Sequence, residues 1–169
     1  MRVAVKDANI LIDLIEADLL PLWFRLGIET HTTDLVRYEV QEPTQRRILD
    51  NFVNAGLLRV VELSPEELSS VQGVSVRLRV SLADASALAL AKRLGAALLS
   101  GDQALRKAAA AEKIEVRGVL WVLDRLVERR LLVPGAAATH LRTLMDGGSF
   151  LPAGECNERL RRWEAKGRP

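Results

Sequence analysis

Four acids carry the chemistry this chain could do: Asp7, Glu39, Asp84 and Asp102. Asp7 ends a short apolar run, Val3-Ala4-Val5-Lys6, and Asn9 stands two residues on. Asp102 follows a second apolar run, Ala96 to Leu99, by three residues. Asp84 stands in the first turn of the Ala/Leu-rich stretch Ser81 to Leu94. Glu39 lies in a helical stretch after Thr33-Asp34, with Val36 and Leu35 at i−3 and i−4, so it is expected on an inward face. Asp84 shares its stripe with Leu88 and Ala91. Each acid also has a structural reading. Asp7 and Asp102 are good helix caps, and Ser81 with Asp84 is a capping box with Asp in place of Glu. Yet an isolated buried carboxylate is very unfavourable, and neither stripe carries a Lys or Arg. Carboxylates that converge without cations suit a hard divalent ion, Mg2+ or Mn2+. An ion held this way lowers the pKa of bound water and positions it for in-line attack on a phosphodiester. Arg37, Arg46, Arg47, Arg106 and Lys107 are the basic residues expected to hold the backbone of such a substrate.

For these acids to meet, strands must deliver them to one edge. Short strands are expected at Val3–Val5, Ile28–Thr32, Leu57–Val61, Ala96–Leu99 and Ile114–Val116, each followed by helical pattern. Asp18 and Ser64-Pro65-Glu66-Glu67 read as helix starts, while Gly27, Gly56 and Gly95 close helices. Residues Gly73 to Val80 are ambiguous. Strands alternating with helices predict an α/β fold with a parallel sheet of about five strands between two helical layers. Ligands bind such sheets at the carboxyl ends of the strands, which is where Asp7 and Asp102 fall. After Leu131 two helices follow, at Pro134–Met145 and Pro152–Lys166, with no further strand. The expected division is a catalytic domain over residues 1–130 and a helical C-terminal extension over 131–169.

The bulk numbers narrow the class. A chain of 169 residues suits one domain with a real core. It is 49% hydrophobic and 27% charged, with net charge +2, close to a globular average. A single cysteine, Cys156, excludes an internal disulfide and a Cys-rich zinc site, and two histidines, His31 and His140, make a His-rich site improbable. No apolar run approaches the roughly 20 residues of a membrane span. A cytoplasmic protein is expected. Trp23, Phe24, Phe52 and Trp121 read as packing aromatics, because 4% aromatic content is low for a base-stacking surface. Trp163 reads as the docking residue of a tail helix.

Read together, these segments resemble the PIN-domain ribonucleases. Lys6-Asp7-Ala8-Asn9 is similar to that family's opening motif, Asp34-Leu-Val-Arg-Tyr-Glu39 to its second, Leu82-Ala-Asp84-Ala-Ser to its third, and Ser100-Gly-Asp102 to its fourth. The match covers about residues 1 to 120. The resemblance implies a three-layer α/β/α PIN-like fold and Mg2+- or Mn2+-dependent cleavage of RNA. By similarity Asp7, Glu39, Asp84 and Asp102 are the site acids, with Asp7, Asp84 and Asp102 on the metal and Asn9 and Ser100 in support. Many small members are toxins of the VapC type, so a cognate antitoxin and a homodimer are expected. The alternatives are a PIN-like module that binds RNA or protein without cleaving, or a housekeeping nuclease. A phosphoacceptor receiver domain is rejected, because Glu62-Leu63-Ser64 and Arg117-Gly118 stand where its Asp and Lys belong. A haloacid dehalogenase phosphatase is also disfavoured, since Asn9 replaces the second Asp of its Asp-x-Asp.

Overall fold

The computed structural model describes residues 3–149 and 151–166; the ends of both expected domains, 1–2 and 167–169, lie outside them. The described residues form a five-stranded, wholly parallel sheet in the order β3-β2-β1-β4-β5. The strands are β1 (Val3–Lys6), β2 (Glu29–Thr33), β3 (Leu58–Val61), β4 (Ala97–Leu99) and β5 (Val116–Arg117). Strand β1 is central. The chain winds outward from it through β2 and β3, then returns to its other side for β4 and β5. The β1–β4 boundary is therefore the point where strand order reverses, and a crevice opens at the carboxyl ends there.

Helices α1 (Ala8–Glu16), α2 (Leu20–Phe24), α3 (Asp34–Glu39), α4 (Pro43–Asn54), α5 (Pro65–Leu78), α6 (Leu82–Leu94), α7 (Gln103–Ala111) and α8 (Val119–Glu128) flank the sheet. The final pair, α9 (Pro134–Asp146) and α10 (Ala153–Lys166), pack on each other and reach the sheet layers through α8. Helix α6 is the central one. Ala83, Ala85, Ala87 and Ala91 are buried along with Leu88 and Leu90, and their small side chains let it lie against β1, β2 and β4 while touching α3, α5 and α7.

Strand β2 has an unusual composition for an inner strand: Glu-Thr-His-Thr-Thr, with its last four residues buried. Its hydroxyls are all satisfied. Thr30 Oγ1 donates to the Ile28 carbonyl and accepts from Trp23 Nε1, both at 2.8 Å. Thr32 Oγ1 donates to the Lys6 carbonyl at 3.0 Å.

Three local expectations change. Asp18 does not cap α2. It takes the left-handed position (φ +54) that ends α1, with Leu19 N donating back to the Leu14 carbonyl and Asp18 N to the Ile15 carbonyl, and Leu19 becomes the N-cap. Residues 73–78, ambiguous in sequence, continue α5. Helix α3 stops at Glu39, so the Leu35–Val36–Glu39 stripe runs out over the sheet edge; Val36 is buried, whereas Glu39 is exposed rather than inward-facing.

Candidate active site

Asp7 is the first residue after β1, and its backbone is already locked to the neighbouring strand through a bond from Asp7 N to the Leu99 carbonyl (3.2 Å). Its Oδ1 accepts from Ile10 N at 2.8 Å, capping α1. Its Oδ2 is buried with no hydrogen-bond partner. The side chain thus performs two tasks with two oxygens, one structural and one free. Burial raises the Asp7 pKa to about 7. The Ser100 hydroxyl and Ile10 N pull against that rise, and Asp84 adds to it. Ser100 lies close enough to act on Asp7 without completing a bond to Oδ2.

Strand β4 delivers the second part. Ser100 is fully buried, and its Oγ accepts from Asp102 N at 3.0 Å, shaping the turn. Asp102 Oδ1 in turn accepts from Leu105 N at 2.7 Å and caps α7. Asp84 comes from α6. Ser81 caps that helix, accepting from Asp84 N at 3.0 Å. Burial pushes the Asp84 carboxyl up; Ser81 lowers it and Asp102 raises it. Glu39 arrives from α3. Although the residue is largely exposed, partial burial of its carboxyl raises its pKa, Ser81 lowers it, and Asp84 raises it further. Asp84 is the acid that couples to all three others. Asn9 is exposed at the mouth.

A hydroxyl clamp fixes the two helical acids. Thr33 caps α3, accepting from Val36 N at 3.2 Å. Thr33 Oγ1 and Ser86 Oγ lie 2.6 Å apart, and Ser86 Oγ donates to the Ala83 carbonyl at 2.6 Å. With Ser86 committed to that carbonyl, Thr33 is the donor of the pair. This chain of bonds ties the start of α3 to the first turn of α6, within three residues of Asp84.

The four acids therefore share the carboxyl edge of the sheet. Among the described residues no three of them stand together tightly enough to enclose an ion. Like charges brought this close repel one another, so closing the set requires positive charge between them. The free Asp7 Oδ2 fits that requirement, since a buried carboxylate oxygen without a donor is the atom a cation would satisfy.

The basic residues separate into two groups. Arg37 and Arg46 both reach Asp50, at 2.8 and 3.5 Å, and Arg46 also donates to the Arg37 carbonyl at 2.5 Å, so they hold α3 to α4. Arg47 and Lys107 are exposed. Arg106, one turn beyond Asp102, donates to the Ser100 carbonyl at 3.2 Å and forms no ion pair among the described residues.

The chain matches the family model described as the PIN domain over residues 3–165. The chain belongs to the PIN-domain family. This PIN domain is 36% identical over 81 residues to a protein named Endoribonuclease Nob1 from Pyrococcus abyssi; the match takes in 46% of this chain and 50% of that one. The chain thus spans about half the length of the curated relative it matches. Its fold is shared with the crystal structure of PAE2754 from Pyrobaculum aerophilum, at TM-score 0.53 and 22% identity, covering 74% of this chain and 89% of the other.

Sequence reasoning did not single out the Thr33–Ser86 clamp or the link that Ser81 makes between Glu39 and Asp84. The signal for the clamp was a run of threonines in an inner strand, where hydroxyls must find partners. It also missed Lys6, fully buried beside Asp7. Its Nζ lies 3.5 Å from the Trp23 ring centroid with no hydrogen-bond partner, and burial drives its pKa well down.

Proposed function

We propose that this PIN domain is an endoribonuclease that uses Mg2+ or Mn2+ to hydrolyse phosphodiester bonds in single-stranded or structured RNA. The observation that carries the reading is Asp7: one oxygen is spent on the α1 cap, and the other is buried, unpaired and coupled to Asp84. Asp7, Asp84 and Asp102 would hold the ion, with Ser100 and Asn9 in support. When bound, that ion lowers the pKa of water and offsets charge developing on the phosphate. The chain's own residues set the rest. Glu39, whose pKa is raised by partial burial and by Asp84, would take a proton from the attacking water. Ser81 orients Glu39 and Asp84 relative to each other. Arg106 offers positive charge at the Asp102 side for a substrate phosphate.

The finer reading is a cytoplasmic toxin of a type II toxin–antitoxin pair. It would work as a homodimer whose antitoxin covers the acid edge. A housekeeping nuclease is the second reading, favoured by the half-length similarity to a protein named Endoribonuclease Nob1. An antitoxin-like reading frame directly upstream of the gene supports the first, and its absence the second. Within the chain, residues 1–130 are proposed as the nuclease unit and 131–169 as an extension packed on it. Among the described residues no helix is long and apolar enough to cross a membrane.

Incubation of the full chain with single-stranded RNA and Mn2+ tests the activity. Cleavage is expected to disappear with EDTA. Asp84→Asn is expected to reduce it by about a hundredfold or more while leaving the fold intact, because it relieves repulsion. RNA retention without cleavage under both metals would instead make this a binding module. Equal cleavage by Asp84→Asn would mean a contaminating ribonuclease.

A further inference from the structure

The acid edge opens into a groove of about 910 Å3 that begins at Asn9 and Asp102 and that neither Asp84 nor Glu39 lines. One wall is α1, where Asp13 and Glu16 face the groove. The opposite wall is built by α7, the end of β5 and the start of α8, carrying Arg106, Arg117 and Trp121. Gly147, Gly148, Ser149, Leu151 and Pro152 line the far end, with Ser149 Oγ donating to Asp13 Oδ1 at 2.7 Å. We infer that this groove is the track for a single-stranded stretch of RNA next to the bond being cut, with phosphates on Arg106 and Arg117 and a base against Trp121. The inference rests on the nuclease reading.

Three observations carry it. The groove is continuous with the acid cluster, sharing Asp102 and Asn9, so a strand cut at the acids has to leave through it or past it. Its two walls differ in charge. Asp13 and Glu16 repel a phosphate backbone, and Arg159 at the α10 side is already paired with Asp124 and Glu155, which directs phosphates to the α7–β5–α8 wall. On that wall Arg106 is free of carboxylates among the described residues. Arg117 answers only to Glu115, through a pair whose side chains are 43% and 49% exposed and thus screened by solvent. The aromatic is placed as a platform as well. Trp121 lines the groove half-buried, with the Arg117 and Arg125 guanidiniums 5.8 and 5.1 Å from its ring. A stacking surface beside cations is the combination that holds single strands irrespective of sequence.

Of the three tryptophans, Trp23 and Trp163 are 0% and 2% exposed, so a bound base can reach Trp121 alone. The test is a titration of the full chain, in EDTA to prevent cleavage, with a short single-stranded RNA. Tryptophan fluorescence and anisotropy are both followed. The expected result is quenching that Trp121→Leu abolishes, with affinity falling roughly tenfold. Arg106→Gln and Arg117→Gln should each weaken binding and reduce the slope of log affinity against log salt by about 1. Arg117 is exposed, so Arg117→Gln carries the test if Trp121→Leu fails to fold. RNA binding with unchanged fluorescence and unchanged affinity in the arginine variants overturns the groove, as does no binding at all. The two readings fail separately. Cleavage whose kcat/KM is untouched by Arg117→Gln sinks the groove and leaves the nuclease. Quenching and salt dependence in a chain that never cleaves leaves the groove and sinks the nuclease.

Discussion

At the scale of single residues, Asp7 sets the terms. Its carboxyl is held near pKa 7 chiefly by burial, against about 3.9 in an unfolded chain. Between those values the folded protein keeps a proton that the unfolded chain has lost. Stability from this group is therefore greatest below about pH 4 and falls as pH rises through 7, after which it is constant. A shift of that size is worth on the order of 4 kcal/mol in the metal-free protein. Asp7→Asn keeps the helix cap, since Asn caps as well as Asp, and removes the titration. Denaturant midpoints measured from pH 4 to 8 should slope downward in the wild type and lose that component in the variant. Equal slopes would mean that Asp7 is not the buried acid described. The place of Asp7 at a strand end was legible in the sequence, because a carboxylate directly after an apolar run is a local pattern. The split between the two oxygens of Asp7 was not, since it depends on how deeply Ile10, Leu99 and Ser100 enclose it. Lys6 was hidden for the same reason: the register that buries it over Trp23 is a property of the sheet.

At the scale of elements, the strands and most helix starts could be read, because Ser64, Ser81 and Asp102 cap as their types suggest and Gly95 closes α6 with φ +58. Glu39 is the instructive departure. Helical spacing placed it inward, but the helix is six residues long and ends on that residue, so the stripe had no length over which to reach the core. What ties the start of its helix to α6 is the Thr33 and Ser86 hydroxyls with the Ala83 carbonyl, which join segments 53 residues apart and have no local signature. Ser86→Ala leaves the buried Thr33 hydroxyl without an acceptor. It should lower stability by about 1–3 kcal/mol. It should also cut RNA cleavage by roughly tenfold, as Glu39 and Asp84 lose their common anchor. Loss of stability with full activity would show the clamp to be structural only.

At the scale of the whole molecule, α9 and α10 join the same apolar core as the sheet: Leu141, Leu144, Cys156 and Trp163 are all buried in it. Cys156, which the sequence placed among polar residues, is 0% exposed. Arg159 and Arg162 both pair with Asp124 of α8, the first at 2.8 Å, and fasten α10 down. Trp163→Ala should cost about 3–5 kcal/mol in a denaturant melt. A change below 1 kcal/mol would mean that the C-terminal helices dock loosely. That docking places Gly147, Gly148, Ser149, Leu151 and Pro152 along the groove.

The central claim is that Asp7 after β1, Asp84 in α6 and Asp102 at the N-cap of α7 converge on a divalent ion. Calorimetric titration of Mn2+ into the full chain near pH 7 tests it most directly. Saturable binding is expected, with proton release because Asp7 is half-protonated there, and Asp7→Asn and Asp84→Asn should each abolish it. No saturable binding, or binding that both variants retain, would contradict it.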